Sequence, residues 1–572
     1  MTDDEAIARP PAAVRRPLPG LRVWFAWIER HPRCFLVLLV LLAALPGLFS
    51  MPPLDRDESR FAQATTQMLE SGGYVSIYFQ DRPRNKKPAG IYWLQAVSVW
   101  LTGTLGERQI WAYRLPSLLG AILAVLFTFE LGRELFGRQQ GLLAAALLGS
   151  CIVLAVEAIN AKTDAALLAC IVATQLALAR SWMAGWKGPR KGPRPGLGTV
   201  VVFWVAFGAG ILIKGPVGPM ATLLTLLLLC LTTQRWRWLL GLRPAIGLPL
   251  ALLVAAPWYI AITLQDQTFL VRAANEDLIP KLLRGVERHG QPPGSYLGVQ
   301  LVALWPAALF TVPAFFAAWK ARRGAPELAF LLAWLIPSWI LFELIPTKLP
   351  HYTLPLYPAL TLLVAWAVFA GSPWLTGRLA RASALLTVVG GSTLAAGAIW
   401  LPLALKAPSA LGPGVAAALL LLLATVGAAY LAWSRRPLPA LLWGMPLAVL
   451  AMAWGMGFYA PRLEPLWITP RLAKAYEKLR APAAPPLASV GYHEPSLVFL
   501  TDTQTALLSP AQGAHYMAER PEALVAVTGR TQASFLEAAA ALGVTPMTKR
   551  SLSGFNYNKG HRIGITLYGR AP

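Results

Sequence analysis

Apolar stretches of about twenty residues recur along this chain between Cys34 and Tyr459, and they constrain its fold more than any other feature. A helix needs about 20 mostly apolar residues to cross the hydrocarbon core of a membrane. Of the 572 residues, 56% are hydrophobic and only 14% are charged, too few polar residues to cover a soluble protein of this size. The sequence therefore predicts an α-helical polytopic membrane protein.

Windowed hydropathy predicts about thirteen transmembrane helices. Their approximate ranges are 34–50, 111–132, 139–158, 164–182, 198–213, 216–231, 238–264, 296–318, 327–345, 350–371, 380–401, 411–434 and 438–459. Residues 1–33 are rich in arginine and precede an apolar run without a clear cleavage site, so the first span is predicted to be retained. We expect a cytoplasmic segment 1–33, a transmembrane domain 34–461 and a soluble C-terminal domain 462–572.

The C-terminal segment is predicted to form a small α/β domain. Apolar runs at 487–490, 523–527 and 563–567 predict strands, and 531–542 predicts a helix.

Basic residues fix the predicted orientation. With a cytoplasmic N-terminus, the cytoplasmic turns contain Arg133, Arg138, Arg180, Lys187, Arg190, Lys191, Arg194, Arg235, Arg237, Arg243, Lys320, Arg322, Arg323, Arg378, Arg381, Arg435 and Arg436. The short outer turns contain few cations beyond Lys162, Lys214, Lys348 and Lys406, as the positive-inside rule requires. The odd number of spans places the C-terminal domain outside, so Pro189 and Gly554 are predicted to lie on opposite sides.

The net charge of +24 does not indicate a nucleic-acid-binding protein, because the basic residues are dispersed among apolar spans instead of lining one soluble face. The four cysteines all lie in apolar stretches without metal-ligand spacing, so we interpret them as small core residues.

The first outer loop, residues 51–110, begins with a cluster of carboxylates. Asp55, Asp57 and Glu58 follow the first span directly, and apolar residues at helical spacing in 61–70 predict an amphipathic helix on the membrane surface. The acidic residues could simply cap that helix. They could equally serve as a general base or bind a metal.

Four cations follow in the same loop, before an apolar segment: Arg82, Arg84, Lys86 and Lys87. Clustered Arg and Lys bind phosphate, although anionic lipid head groups would also attract them. Beside the carboxylates, the pattern favours a site for a phosphorylated lipid.

Further ionisable residues lie at the predicted outer ends of spans: Asp164, Lys214, Glu343, Lys348 and His351. Ionisable residues at membrane depth are costly and usually functional. The predicted topology puts all of them on one side, where they could converge. The six histidines form no zinc-binding motif.

Four groups of residues resemble the GT-C glycosyltransferases that use polyprenyl-phosphate sugars, in particular aminoarabinose–lipid A transferases and more distantly protein O-mannosyltransferases. They are 56–62 with 68–72, Lys86-Lys87-Pro88 with Tyr92-Trp93, Lys214-Gly215, and 348–352 with Leu354-Pro355. The resemblance covers about the first 370 residues and implies a GT-C fold.

This resemblance implies that Asp57 is a catalytic carboxylate, that Asp164 belongs to the site, and that Lys87 and Tyr352 lie near the donor phosphate. Glu58 is a further catalytic candidate. Arg84, Lys86, Lys348 and Lys281, the last in the outer loop 265–295, are further phosphate-binding candidates. The aminoarabinose transferases usually carry a Glu where this chain has Lys86, which weighs against a divalent metal there, so no cofactor is assigned.

The expected function is transfer of a sugar from a polyprenyl-phosphate donor to an envelope acceptor, with inversion, at the outer face of a bacterial-type cytoplasmic membrane. The acceptor could be a lipid A-like glycolipid, a protein or a polysaccharide. The alternative is a transporter or flippase for a lipid or a lipid-linked sugar, which would place charges along a path through the membrane instead of at one face.

Overall fold

The computed structural model describes residues 26–85, 87–186, 195–273, 275 and 291–571. Up to residue 459 it is almost entirely helical. Its helices are α1 (Pro32–Ser50), α2 (Asp57–Ser71), α3 (Gly90–Thr102), α4 (Ile110–Leu135), α5 (Arg138–Gly149), α6 (Ile152–Ala158), α7 (Asp164–Trp186), α8 (Leu197–Lys214), α9 (Val217–Thr233), α10 (Pro244–Gln265), α11 (Phe269–Arg272), α12 (Ser295–Ala303), α13 (Ala308–Ala321), α14 (Pro326–Leu344), α15 (Tyr357–Phe369), α16 (Arg378–Leu405), α17 (Leu411–Trp433) and α18 (Pro437–Trp454).

Among the described residues, nine helices are long and apolar enough to cross a membrane, and the bent pair α5 and α6 makes a tenth if it counts as one span. The two helices of this pair meet at 64°. The predicted spans 216–231, 296–318 and 350–371 coincide with the shorter apolar helices α9, α13 and α15. The chain is therefore a multi-pass membrane protein, and the count of thirteen spans stays a prediction.

Glycines allow the helices that carry the site to approach closely. A Cβ atom on Gly120 of α4 would lie 2.6 Å from the backbone nitrogen of Ala166 and 2.7 Å from the carbonyl of Ala165, both in α7. Without that atom, the two backbones touch, and the first turn of α7 is held directly against α4.

The helix predicted at 61–70 is α2, and it begins at Asp57. Three polar residues in its middle, Gln63, Thr65 and Thr66, are buried and do not face water, as a helix on the membrane surface would require. Thr65 donates a hydrogen bond to Gln95 (2.7 Å), Thr66 pairs with the Tyr113 hydroxyl (2.6 Å), and Gln63 donates to Thr503 (2.8 Å). The helix is enclosed because its polar side chains find protein partners.

The first outer loop also contains a two-strand hairpin, β1 (Tyr78–Phe79) and β2 (Arg82–Pro83). Immediately after β2, the amide of Arg84 donates a hydrogen bond to the carbonyl of Ile77 (2.6 Å), which turns the basic part of the loop back towards α2.

The C-terminal segment contains a five-stranded sheet in the order β4-β3-β5-β7-β6. Its elements are α19 (Ile468–Leu479), β3 (Ala488–Val490), α20 (Pro495–Leu500), β4 (Ala506–Leu508), α21 (Pro510–Glu519), β5 (Val525–Thr528), α22 (Gln532–Ala541), β6 (Pro546–Asn556) and β7 (His561–Arg570). β3 pairs in parallel with β4 and β5, whereas β7 pairs antiparallel with β5 and β6. Alternate residues of β5 pack on α19 and α20 from one face and on α21 and α22 from the other. The strands and helix predicted here coincide with β3, β5, β7 and α22, whereas β4 and β6 had no prediction.

This sheet segment contacts the first outer loop closely. The hydroxyl of Tyr557 accepts a hydrogen bond from the amide of Asp55 (2.7 Å), and Ser496 donates to the Asp55 carboxylate. Arg108 donates to the carbonyls of Val498 (3.1 Å) and Phe499 (3.2 Å). The C-terminal segment therefore lies at the same end of the helices as the predicted site residues.

Candidate active site

Asp57 and Glu58 begin α2 and point in different directions, because successive residues of a helix are about 100° apart. The Asp57 side chain is 65% exposed, and its carboxylate lies 3.9 Å from the guanidinium of Arg84. The Glu58 side chain is 1% exposed and faces the helix bundle. Of these two carboxylates, only that of Asp57 is accessible to a substrate.

Glu58 is fully occupied by hydrogen-bond donors. Arg114 donates to both of its oxygens, at 2.8 and 2.9 Å, and the amides of Leu54 (2.7 Å) and Ala161 (2.9 Å) supply two more hydrogen bonds. Arg114 also donates to the carbonyls at the end of α1, those of Leu48 (3.0 Å) and Met51 (2.8 Å). Because these donors occupy both carboxylate oxygens, the geometry favours a positioning role for Glu58, and its catalytic role stays a prediction.

Five ionisable side chains converge at the ends of α6, α7 and α8 and in the loop before α15, and we call them the span-end cluster: Glu157, Lys162, Asp164, Lys214 and His351. The Nζ of Lys214 lies 2.5 Å from the Asp164 carboxylate, and the Nζ of Lys162 lies 3.6 Å from it. Lys162 is also 3.0 Å from Glu157. The two ring nitrogens of His351 lie 3.8 Å from Glu157 and 3.9 Å from Asp164.

The helices favour these positions electrostatically. Asp164 is the first residue of α7 and Lys214 the last residue of α8, the ends at which the helix dipole stabilises an anion and a cation respectively. The short turn between α6 and α7 then places Lys162 between the carboxylates of Glu157 and Asp164.

The span-end cluster and the first outer loop share one electrostatic environment. Burial lowers the pKa of His351 to about 4, and the cations Lys162 and Lys214 act in the same direction, so the ring is neutral at pH 7. Burial alone would lower the pKa of Lys162, but the carboxylates of Glu157 and Asp164 outweigh it and raise that pKa. The charge of Asp57 acts on both His351 and Lys162, so this carboxylate and the cluster influence one another electrostatically.

Aromatic rings contact cations of both the basic loop and the span-end cluster. The guanidinium of Arg84 lies 5.4 Å above the ring of Phe61, which is 5.1 Å from the ring of Tyr92. The Nζ of Lys214 lies 5.9 Å from the centre of the Tyr352 ring, so Tyr352 does border the cluster. Lys87 is half-buried in the same basic stretch.

Lys348 is hydrogen-bonded to the protein backbone, and its role at the donor phosphate stays a prediction. Its Nζ donates to the carbonyls of Gln291 (3.0 Å) and Ile345 (3.1 Å), so it holds two backbone segments together. Glu343 likewise accepts hydrogen bonds from the amides of Gly294 (2.9 Å) and Tyr296 (3.2 Å) and does not join the span-end cluster. Lys86 and Lys281 lie outside the described residues.

Glu157 and Arg114 had no role in the sequence analysis. The signal for Glu157 was available, since it is the only acidic residue in the predicted span 139–158. Arg114 had a comparable signal near the start of the span 111–132. Its partner Glu58 lies 56 residues away, a pairing that a single sequence does not reveal.

The donor set does not fit a divalent metal. Within the described ranges, no group of three or more His, Cys, Asp or Glu residues is placed to hold an ion. Glu157 and Asp164 are neutralised by Lys162 and Lys214, and a divalent cation would have to displace ammonium groups 2.5 to 3.0 Å away.

Comparisons with known proteins agree with this architecture. A family model described as dolichyl-phosphate-mannose-protein mannosyltransferase matches residues 86–260. An undecaprenyl phosphate-alpha-4-amino-4-deoxy-L-arabinose arabinosyl transferase of Pectobacterium carotovorum is 26% identical over 398 residues, 68% of this chain and 68% of that protein. The protein of the same name from Pseudomonas aeruginosa is 30% identical over 348 residues, 60% of each chain.

Two crystal structures of ArnT from Cupriavidus metallidurans share the fold. The apo structure superimposes with a TM-score of 0.71 at 20% identity, covering 96% of this chain and 98% of that one. The structure bound to undecaprenyl phosphate gives a TM-score of 0.72 with the same identity and coverage. By sequence the chain is similar to these arabinosyl transferases, and its fold is similar to that of the two ArnT structures.

Proposed function

We propose that this protein is a membrane glycosyltransferase that moves a sugar from a polyprenyl-phosphate donor to a lipid A-like acceptor. The observation that carries the proposal is Asp57, an exposed carboxylate 3.9 Å from the Arg84 guanidinium whose charge also acts on Lys162 and His351 of the span-end cluster. The relatives named as undecaprenyl phosphate-alpha-4-amino-4-deoxy-L-arabinose arabinosyl transferases support the donor class. The ArnT structure with undecaprenyl phosphate supports a polyprenyl phosphate as ligand.

The donor phosphate is assigned to the basic part of the first outer loop. Arg84 and Lys87 supply cations beside the exposed end of α2, and Tyr352 borders the same space from the opposite loop. Lys86 and Lys281 stay candidates for this role. The polyprenyl tail would lie between apolar helices, where burying it requires no polar partner.

The chemistry is a substitution at the anomeric carbon of the sugar. An acceptor oxygen forms a bond to that carbon while the bond from carbon to the polyprenyl phosphate oxygen breaks. The bonding electrons leave with the phosphate, and nearby cations stabilise this growing negative charge. If the acceptor is a hydroxyl, its proton passes to Asp57; if it is a phosphate, no proton has to move. Single displacement inverts the anomeric configuration.

Asp164 completes the site without taking a proton. Its contacts with Lys214 and Lys162 fix both ammonium groups in position, so they stabilise the charge that grows on the leaving phosphate without reorganising. His351 is neutral at pH 7 because of its lowered pKa and adds no charge. We propose that the reaction proceeds without a divalent metal, since Lys162 and Lys214 already serve as the counter-ions of Glu157 and Asp164.

The site is proposed to face the periplasm. This follows from the basic cytoplasmic turns, because the span-end cluster lies at the opposite helix ends. The C-terminal segment lies at the same end and contacts the first outer loop, so it also belongs to the periplasmic side.

A reconstitution assay tests the proposal. The purified chain is given undecaprenyl phosphate linked to a radiolabelled 4-amino-4-deoxyarabinose, with lipid A as acceptor, in the presence or absence of a chelator. We expect labelled lipid A, free undecaprenyl phosphate, an inverted linkage by NMR and equal rates in both media. A protein that moves intact donor across vesicles without breaking the sugar–phosphate bond is a flippase, and that result would refute the proposal. Loss of activity with chelator that one metal restores would refute the metal-free mechanism alone.

A further inference from the structure

A cavity of about 740 Å³ lies between the membrane helices and the C-terminal sheet. Its floor is the turn 405–409 that joins α16 and α17. Its other walls are residues 464–465 and 471, next to and within α19, and the facing parts of β6 and β7.

Three cations from separate segments line this cavity: Lys406, Arg471 and Arg562. Arg471 donates to the carbonyl of Ser553 (2.9 Å), and Arg562 donates to the carbonyl of Ala404 (3.2 Å). These bonds orient the guanidinium groups but do not neutralise them.

No described acidic residue forms an ion pair with any of the three, and Glu464 is the single carboxylate in the lining. The cavity therefore has a net positive charge. Like charges that face one shared space repel one another, and an anion in that space removes the repulsion.

The neighbouring surface is apolar. Trp400 and Leu403, in the last two turns of α16, are 65% and 59% exposed, and Phe458 of the last membrane helix is 45% exposed. A ligand with a negative head group and an acyl chain would contact the cations and this apolar surface together, whereas a free anion would use only the cations.

We propose that this cavity binds the phosphate ester of an anionic lipid head group, supplied by the leaflet that this end of the helices meets. The lipid phosphate lies among Lys406, Arg471 and Arg562, and its acyl chains run along Trp400 and Leu403. Because Arg471 and Arg562 belong to the C-terminal segment and Lys406 to the membrane turn, the lipid joins the two parts. The proposal is independent of the glycosyltransferase activity.

The experiment measures lipid binding to the full chain in detergent by native mass spectrometry. The probes are dioctanoyl-phosphatidylglycerol, dioctanoyl-phosphatidylcholine and inorganic phosphate as competitor. The test variant is Lys406→Gln/Arg471→Gln/Arg562→Gln. The control is Arg530→Gln/Lys549→Gln/Arg550→Gln, which removes the same charge from exposed positions of the C-terminal segment outside the cavity.

We expect phosphatidylglycerol to bind more tightly than phosphatidylcholine, and the test variant to weaken its binding by about tenfold or more, as the loss of three interfacial cations implies. The control should bind as wild type. Lys406→Gln alone should weaken binding about fivefold. It keeps the result interpretable if the triple variant misfolds, since the Lys406 side chain has no hydrogen bond or ion pair with a described residue.

Unchanged phosphatidylglycerol binding in the variants, or equal affinity for the two lipids, would overturn the site. Competition by inorganic phosphate at the concentration of the lipid would show a free-phosphate site and overturn the lipid assignment. Competition only at far higher phosphate concentrations supports it.

Discussion

At the scale of single residues, Asp57 and Glu58 are adjacent carboxylates with different environments. Asp57 is exposed beside Arg84, whereas Glu58 accepts four hydrogen bonds in the interior. Burial and saturation by donors remove a carboxylate from chemistry, while exposure next to a cation leaves it available as a base. The two residues can therefore be separated by experiment.

Asp57→Asn should lower the single-turnover rate about a hundredfold or more while donor affinity stays near wild type, because the amide keeps the size but cannot take a proton. Lys87→Ala should weaken donor binding and also slow transfer, since negative charge grows on the leaving phosphate. The double variant Lys86→Ala/Lys87→Ala should weaken donor binding and slow transfer more than either single substitution does.

Asp81→Asn is the matched control for Asp57→Asn, because Asp81 is an exposed carboxylate in the same loop. Donor affinity and single-turnover rates of the purified variants decide the assignment. Near wild-type transfer by Asp57→Asn would mean that Asp57 only caps α2.

Glu58→Gln should lower the stability of the protein and leave the turnover rate unchanged. It leaves the buried Arg114 guanidinium without its anion, which costs about 3 to 5 kcal/mol and lowers the thermal midpoint in detergent. The fraction that folds should turn over at the wild-type rate. A stable Glu58→Gln enzyme with a hundredfold lower rate would restore Glu58 to the chemistry.

At the scale of elements, the contact between α4 and α7 determines where Asp164 lies. Gly120→Ala would place a methyl group 2.6 to 2.7 Å from the backbone of Ala165 and Ala166 and push the start of α7 outward. We expect a loss of about 1 to 3 kcal/mol in stability and a lower transfer rate, because Asp164 precedes Ala165.

Gly397→Ala is the control for this change. Gly397 is also inside a long membrane helix, α16, but a Cβ there has no neighbour within 4 Å. It should leave both the thermal midpoint and the rate unchanged or slightly raise the midpoint. Equal effects of the two substitutions would show that the α4–α7 contact does not position the site.

The elements also show what the sequence alone could predict. The apolar helices, the start of α2 and three of the five sheet strands follow from local periodicity, which a single sequence records. The enclosed position of α2 does not, because Gln63 and Thr65 look solvent-facing until Thr503 and Gln95 are brought to them. For the same reason, the sequence predicts Lys348 as a phosphate ligand but does not reveal its two backbone carbonyl partners.

At the scale of the whole molecule, the ionisation of Asp55 makes the stability of the contact between the first outer loop and the C-terminal segment depend on pH. Burial raises the pKa of Asp55 to about 6, and nearby Glu494 adds to the effect although the Ser496 hydroxyl opposes it. The folded state therefore holds a proton more tightly than the unfolded chain. The stability that this bound proton contributes to the folded state is fully present below about pH 4 and is lost as the pH rises through about 6.

Asp55→Asn imitates the protonated acid and can still accept the Ser496 hydrogen bond. At pH 7.5 it should raise stability by up to about 2 to 3 kcal/mol, and it should flatten the dependence of the thermal midpoint on pH between 4 and 6. Asp81→Asn should change neither. A wild-type midpoint that rises steadily from pH 4 to 7 would contradict this role of Asp55.

Topology is the remaining property of the whole molecule, and cysteine labelling can test it. Pro189 lies outside the described residues, and a side chain at Gly554 would meet the carbonyl of Pro465 at 2.6 Å, so neither is a suitable position. Ser434 in the turn between α17 and α18 and Ala483 in the C-terminal segment are both exposed. In a background that lacks the exposed Cys34, Ala483→Cys should react with an impermeant maleimide in spheroplasts.

Ser434→Cys should react only after the membrane is opened, because its turn contains Arg435 and Arg436 and is predicted to be cytoplasmic. Equal labelling of both cysteines in intact spheroplasts would contradict the topology. The result extends to the active site, since Asp55 contacts Tyr557 of the C-terminal segment and Asp57 follows two residues later. Labelling of Ala483 from outside would therefore place Asp57 and the span-end cluster on the side where a lipid-linked donor meets an envelope acceptor.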